Sequence, residues 1–108
     1  MNKPANIKAP TTTAAEIFLR RLKAHGVDYF FANGGTDFAP IVEAFAHGQS
    51  EGAALPEPLI TPHETAAVAM AHGYFLATGK PQALMVHTNV GLANAVMGTI
   101  NAASDHIP

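Results

Sequence analysis

The sequence predicts a three-layer α/β/α fold around a parallel sheet, and three observations carry that prediction. Short β-prone runs at 27–31, 59–61 and 83–87 alternate with longer helical segments, giving helix, strand, helix, strand, helix, strand, helix. The runs are apolar without strict alternation, as strands covered on both faces are. Of the 108 residues, 48% are hydrophobic and 13% charged, which is the balance of one globular domain rather than a disordered chain.

The first twelve residues, MNKPANIKAPTT, show no apolar periodicity and read as a flexible arm, leaving 13–108 to fold. Thr13-Ala14-Ala15-Glu16 has the spacing of a capping box. Ile17, Phe18, Leu19 and Leu22 then give an apolar stripe until His25-Gly26 stops the helix. Residues 27–31 form a strand closed by the Asn33-Gly34-Gly35 turn. Asp37 is placed to cap a second helix, with Pro40 in its first turn, Ile41, Val42, Ala44 and Phe45 facing inward, and His47-Gly48 at its end. A solvent loop over 49–58 contains two prolines and leads to the strand at 59–61. The third helix, within TPHETAAVAMAHGYFLA, has almost no polar face and is expected to be buried nearly all round until Thr78-Gly79. After the strand at 83–87, a turn Thr88-Asn89-Val90-Gly91 precedes a small-residue helix from Leu92 to Ala103.

Parallel strands bring their strand-to-helix loops to one sheet edge, where α/β proteins bind ligands. Three loops meet there, at 33–37, 61–64 and 87–91. The second opens the oily third helix with Glu64, the one carboxylate of that segment. Burial is expected to outweigh the helix dipole and raise its pKa. His87 ends an apolar strand at the same edge. The glycine turn lacks G-x-G-x-x-G spacing and a Walker lysine. His63-Glu64 fails as a zinc motif because Ala67 stands where H-E-x-x-H needs its second histidine, so no protein-bound transition metal is expected. His25 and His47 sit beside helix-ending glycines and read as structural. No Ser/His/Asp arrangement is legible.

A net charge of -2 and only six Lys plus Arg, without a basic stripe, argue against a nucleic-acid partner. Disulfides and thiolate metal ligands are excluded, since there is no cysteine. The sequence has neither a secretory apolar stretch nor a run of membrane-spanning length, so a cytoplasmic protein with no membrane partner is expected.

Three blocks, GVDYFFANGGTDFAPIVEAF, TPHETAAVAMAHGYFLATGKP and VHTNVGLANAVMGTINAASDHIP, stand in this order and spacing over 13–108. Together they resemble the N-terminal, pyrimidine-binding domain of thiamine-diphosphate-dependent enzymes of the acetolactate synthase and benzoylformate decarboxylase group. The resemblance implies the thiamine-diphosphate-binding fold, whose six parallel strands place strands two, one and three side by side. The chain is accordingly expected to be a partial domain, truncated after three strands, with the strand-three edge and the Ala-rich helix faces uncovered.

By that resemblance Glu64 holds N1' of the cofactor's aminopyrimidine, favouring the imino tautomer and with it the loss of the thiazolium C2 proton. Gly35, in the place of a G-x-P-G type turn whose proline is here Gly34, and Asn94, in a G-x-x-N pattern, are implied cofactor contacts. Thr36 aligns with a hydroxyl residue that touches substrate carboxylate, and His87 with an active-site histidine of the benzoylformate decarboxylase branch. Diphosphate and Mg2+ are held in the family by a C-terminal domain with a Gly-Asp-Gly motif, absent from this sequence. That domain or subunit is therefore an implied partner, within a homodimer or homotetramer acting on a 2-keto acid as a lyase or transferase. The isolated chain is expected to be inactive. The competing expectation is a non-catalytic binding or assembly module of the same fold, paired with a separate subunit.

Overall fold

The computed structural model describes residues 12–108, so the arm expected over 1–12 falls, but for Thr12, outside the described residues. Thr13 begins the fold by accepting the Glu16 N–H on its Oγ1 at 3.2 Å, which caps helix α1 (Ala14–Ala24). Only this half of the capping box forms. Glu16 is 1% exposed, its side chain turned to Arg20 and His47 instead. Leu19 is wholly buried, whereas Ile17 and Phe18 of the expected stripe are about half exposed. The helix ends at His25 with Gly26 at φ +87°, the left-handed stop read from the sequence.

Strand β1 (Tyr29–Asn33) lies two residues later than expected. Gln82 sets its start, since its Oε1 accepts both the Asp28 and Tyr29 N–H groups, at 3.0 and 2.7 Å. A single 3-10 turn (Thr36–Phe38) follows, and α2 (Ala39–Ser50) runs straight through His47-Gly48, leaving Val42 largely exposed. Asp37 does not cap this helix; Phe38 occupies the cap position without a side-chain bond.

Strand β2 (Glu57–Ile60) includes Pro58, which the sequence reading assigned to the loop. A proline cannot donate to a ladder, but an edge strand tolerates it, and β2 is an edge. Helix α3 (Glu64–Thr78) starts and stops where expected, with Gly79 at φ +71°. Its burial is one-sided rather than all round: Ala67 and Val68 are buried, while Met70 and Leu76 face outward. After β3 (Ala83–Val86), α4 (Thr88–Ser104) begins at once, so the expected Thr88-to-Gly91 turn is the first helical turn, closed by Gly91 N–H donating to His87 C=O at 3.0 Å.

The strands pair in parallel in the order β2-β1-β3, with Phe31 opposite Leu59 on one side and Leu84 on the other. Side chains alternate along β1. Phe30 and Ala32 enter the core with Leu19, Phe38, Ala44 and Phe45 of the α1/α2 layer. Tyr29 meets Tyr74 of α3 edge to face at 5.3 Å, while α3 and α4 pack together on the opposite layer. The result is the expected three-layer α/β/α arrangement, and it puts the carboxyl ends of all three strands at one edge.

Candidate functional site

The loops after β1, β2 and β3 meet at that edge. Asn33 Nδ2 donates to Thr61 C=O at 3.0 Å, while Thr61 N–H and Oγ1 both reach Ala32 C=O, at 2.9 and 3.3 Å. These bonds tie the first two loops and fix the approach to α3. His63 caps α3 by accepting the Thr65 N–H on Nδ1 at 3.2 Å, and this places Glu64 as the first helical residue.

Glu64 is 7% exposed, and Asn94 of α4 donates its Nδ2 to Glu64 Oε2 at 3.0 Å. Thr65 Oγ1 donates back to Asn94 C=O at 3.2 Å, so α3 and α4 are stitched on both sides of the carboxylate. Gly91 completes the seat: a Cβ there would come within 3.1 Å of Glu64 Oε1 and of Val86 Cβ. The expectation of a raised pKa is reversed. Asn94 donating to the carboxylate, together with the Glu64 backbone N–H, outweighs burial, and the nearby His63 adds to the lowering. Glu64 is therefore an ionised acceptor at neutral pH.

A second group forms around His87, between β3 and α4. Its Nδ1 lies 2.7 Å from Asp37 Oδ1. The ring lies directly over Gly35, where a Cβ would approach within 2.2 Å of His87 Cγ and Nδ1. Thr88, immediately after it, sits at φ +52°, a left-handed conformation strained for a β-branched residue. Thr36 is exposed in the 3-10 turn beside Gly35. Thus Glu64 pairs with Asn94, and His87 with Gly35, while Gly91 links the two groups through its contacts with Glu64 and the His87 carbonyl.

Two residues of this edge escaped sequence reasoning. Asp37 precedes a helix and so has the sequence signature of a cap, and Gly91 that of a turn residue. For Asp37 the usable signal was its place in a loop that shares an edge with His87.

A further cluster, Glu16, His47 and Glu51, brings three potential ligand atoms within 4.8 Å of one another. Arg20 already occupies it. Its Nε lies 2.9 Å from Glu16 Oε1 and its Nη2 3.5 Å from Glu51 Oε2, and this guanidinium is the first cause holding the Glu16 carboxyl below its ordinary range. His47 completes the network at 3.0 Å from Glu16 Oε2, a structural role richer than that of a helix-end cation. The hollow of about 220 Å³ between α3, β3 and α4, lined by His72, Phe75 and Leu84 among others, contains none of the edge residues. Among the described residues no helix is long and apolar enough to cross a membrane.

The family model for the thiamine pyrophosphate enzyme, N-terminal TPP binding domain, matches residues 12–108. The chain is 33% identical over 96 residues to the acetolactate synthase large subunit of Haemophilus influenzae, an alignment covering 89% of this chain and 16% of that protein. It is 31% identical over 96 residues to the mitochondrial acetolactate synthase catalytic subunit of Saccharomyces cerevisiae, covering 89% and 13%. Similarity to the benzoylformate decarboxylase of Pseudomonas aeruginosa is 31% over 90 residues, covering 81% and 15%. The chain thus spans less than a fifth of the length of each of these relatives.

Proposed function

The chain belongs to the thiamine pyrophosphate enzyme family, as its N-terminal TPP binding domain, and from that premise we propose that it supplies the cofactor-activating half of a thiamine-diphosphate-dependent site acting on 2-keto acids. The observation that carries this reading is the Glu64 seat: a buried carboxylate held by Asn94, with a glycine rather than a side chain against its second oxygen.

The residues present fit an aminopyrimidine. Glu64 would accept a hydrogen bond from the ring nitrogen in its N–H form, and Gly91 keeps free the space beside Oε1, which a Cβ would enter at 3.1 Å. Asn94 spends a donor on Oε2 and so fixes which way the carboxylate faces. The group supplies, when bound, a carbon nucleophile and an electron sink for decarboxylation. The chain's own work is to orient the ring and hold or release one proton at its nitrogen, with Gly35 and Asn94 as neighbours of the cofactor. Because Glu64 is ionised before binding, the proton it would share with the ring arrives on the ring nitrogen or from solvent.

Thr36 and His87 belong to the substrate side of this reading. The Thr36 hydroxyl is exposed beside the Gly35 turn, available to a substrate carboxylate, and His87 is a group for substrate proton transfer. A second domain or subunit holds the diphosphate and Mg2+ and closes the pocket from the other side, in a homodimer or homotetramer. The short span of the chain against its relatives supports the second domain in this reading.

The test is the rate of C2 proton exchange on thiamine diphosphate, measured by NMR after acid quench in the full-length protein carrying this domain. Glu64→Gln is expected to slow exchange at least about tenfold, a loss of about 1.4 kcal/mol in barrier terms. An unchanged exchange rate sinks the assignment of Glu64.

A further inference from the structure

We infer that Asp37 is a positioning residue that holds the His87 imidazole in its Nδ1–H tautomer, leaving Nε2 as the working nitrogen; the inference rests on the reading of His87 as an active-site group. Three separate constraints converge on this one ring. Asp37 Oδ1 stands 2.7 Å from Nδ1. Gly35 forms the floor beneath the ring, at a distance no Cβ could share. Thr88 takes up a strained left-handed turn directly after the histidine, setting the backbone from which the ring projects.

The chemistry follows from the partner. An ionised carboxylate is acceptor-only, so a neutral imidazole facing it must carry its proton on Nδ1 and keep a lone pair on Nε2. Nε2 has no hydrogen-bond partner among the described residues. The ring is thereby pre-set to take a proton at one defined atom, and on doing so it keeps its bond to Asp37 and gains the countercharge. Side-chain exposures of 37% for His87 and 46% for Asp37 make the energy of the pair small, so its effect is geometric rather than stabilising. The two residues come from loops fifty positions apart in the chain, brought together by the sheet edge those loops share.

The experiment reads the tautomer directly, by long-range 1H–15N correlation on the uniformly labelled chain without cofactor or substrate, at about pH 8, the neutral ring being recognised by its two unequal 15N shifts. The expected parent spectrum shows His87 protonated on Nδ1. Asp37→Ala moves the proton to Nε2, Asp37→Asn retains the parent pattern because its Oδ1 still accepts, and Gly35→Ala, which unseats the ring, reproduces the Asp37→Ala pattern. An Nε2–H ring in the parent overturns the inference, and this measurement needs no variant to fold. So does an unchanged tautomer in a folded Asp37→Ala. Failure of the active-site reading looks different: an Nδ1–H ring in the chain together with an unaltered pH–rate profile for His87→Ala in the full-length protein.

Discussion

Asp28 lies at the sheet edge opposite the site and shows how much one carboxylate can organise. Its two oxygens receive Lys80 Nζ at 3.0 Å, Tyr74 Oη at 2.9 Å and Lys23 Nζ at 3.1 Å, so that α1, α3 and the lead into β3 converge on it. Lys80 first, then Tyr74 and Lys23, lower its pKa from 3.8 to about 2. Since the folded pKa lies below the unfolded one, the stabilising contribution is complete above about 3.8 and is lost as pH falls toward 2. In Asp28→Asn that acid slope disappears and the variant is less stable than the parent at neutral pH. Thermal unfolding followed across the acid range checks this, and an unchanged slope refutes it. What was legible at the residue scale is placement: loop position and family resemblance bring Glu64, Asn94 and His87 to one sheet edge, where the structure has them. The direction of the Glu64 shift was not, because it depends on a donor from α4, thirty residues away.

Helices α3 and α4 meet where Gly98 faces Val68, and the contact has no slack. A Cβ on Gly98 would lie 2.6 Å from Val68 Cγ1, whereas one on Gly73, in α3, meets nothing within 4 Å. The same substitution therefore has opposite signs at the two positions. Gly73→Ala gains helix propensity of up to about 1 kcal/mol. Gly98→Ala gains the same propensity but incurs overpacking of roughly 1–3 kcal/mol, so it destabilises. Adding Val68→Ala to Gly98→Ala restores part of the loss, a coupling that a double-mutant cycle in urea measures. Additive effects at 68 and 98 would refute the close crossing. Elements were read best where capping chemistry is local, as at α1 and α3. They were misplaced where a distant partner decides: Gln82 sets the start of β1, and the sheet edge admits Pro58.

The described residues make a three-stranded sheet with β3 at one edge, and α4 turns Leu92, Val96, Met97 and Ile100 outward. An apolar face of this kind marks an interaction surface. The site edge is equally one-sided, with Asp37, Thr36 and His87 partly open. Tight ligands are enclosed over most of their surface. The isolated chain is accordingly expected to show no micromolar binding of thiamine diphosphate with Mg2+ in calorimetry and no turnover; a clear micromolar isotherm overturns this. The strand order was legible through the family resemblance, whereas the extent of the outward apolar face was visible only in coordinates, because periodicity cannot say which of two faces finds a partner in the same chain. The seat shared by Glu64 and Gly91 also works as a gauge. A Cβ at 91 would stand 3.1 Å from Glu64 Oε1, so even a methyl there asks the acid or α4 to give way by a few tenths of an ångström. The aim of the carboxylate is thereby set by the absence of a side chain three residues away from the one that holds it.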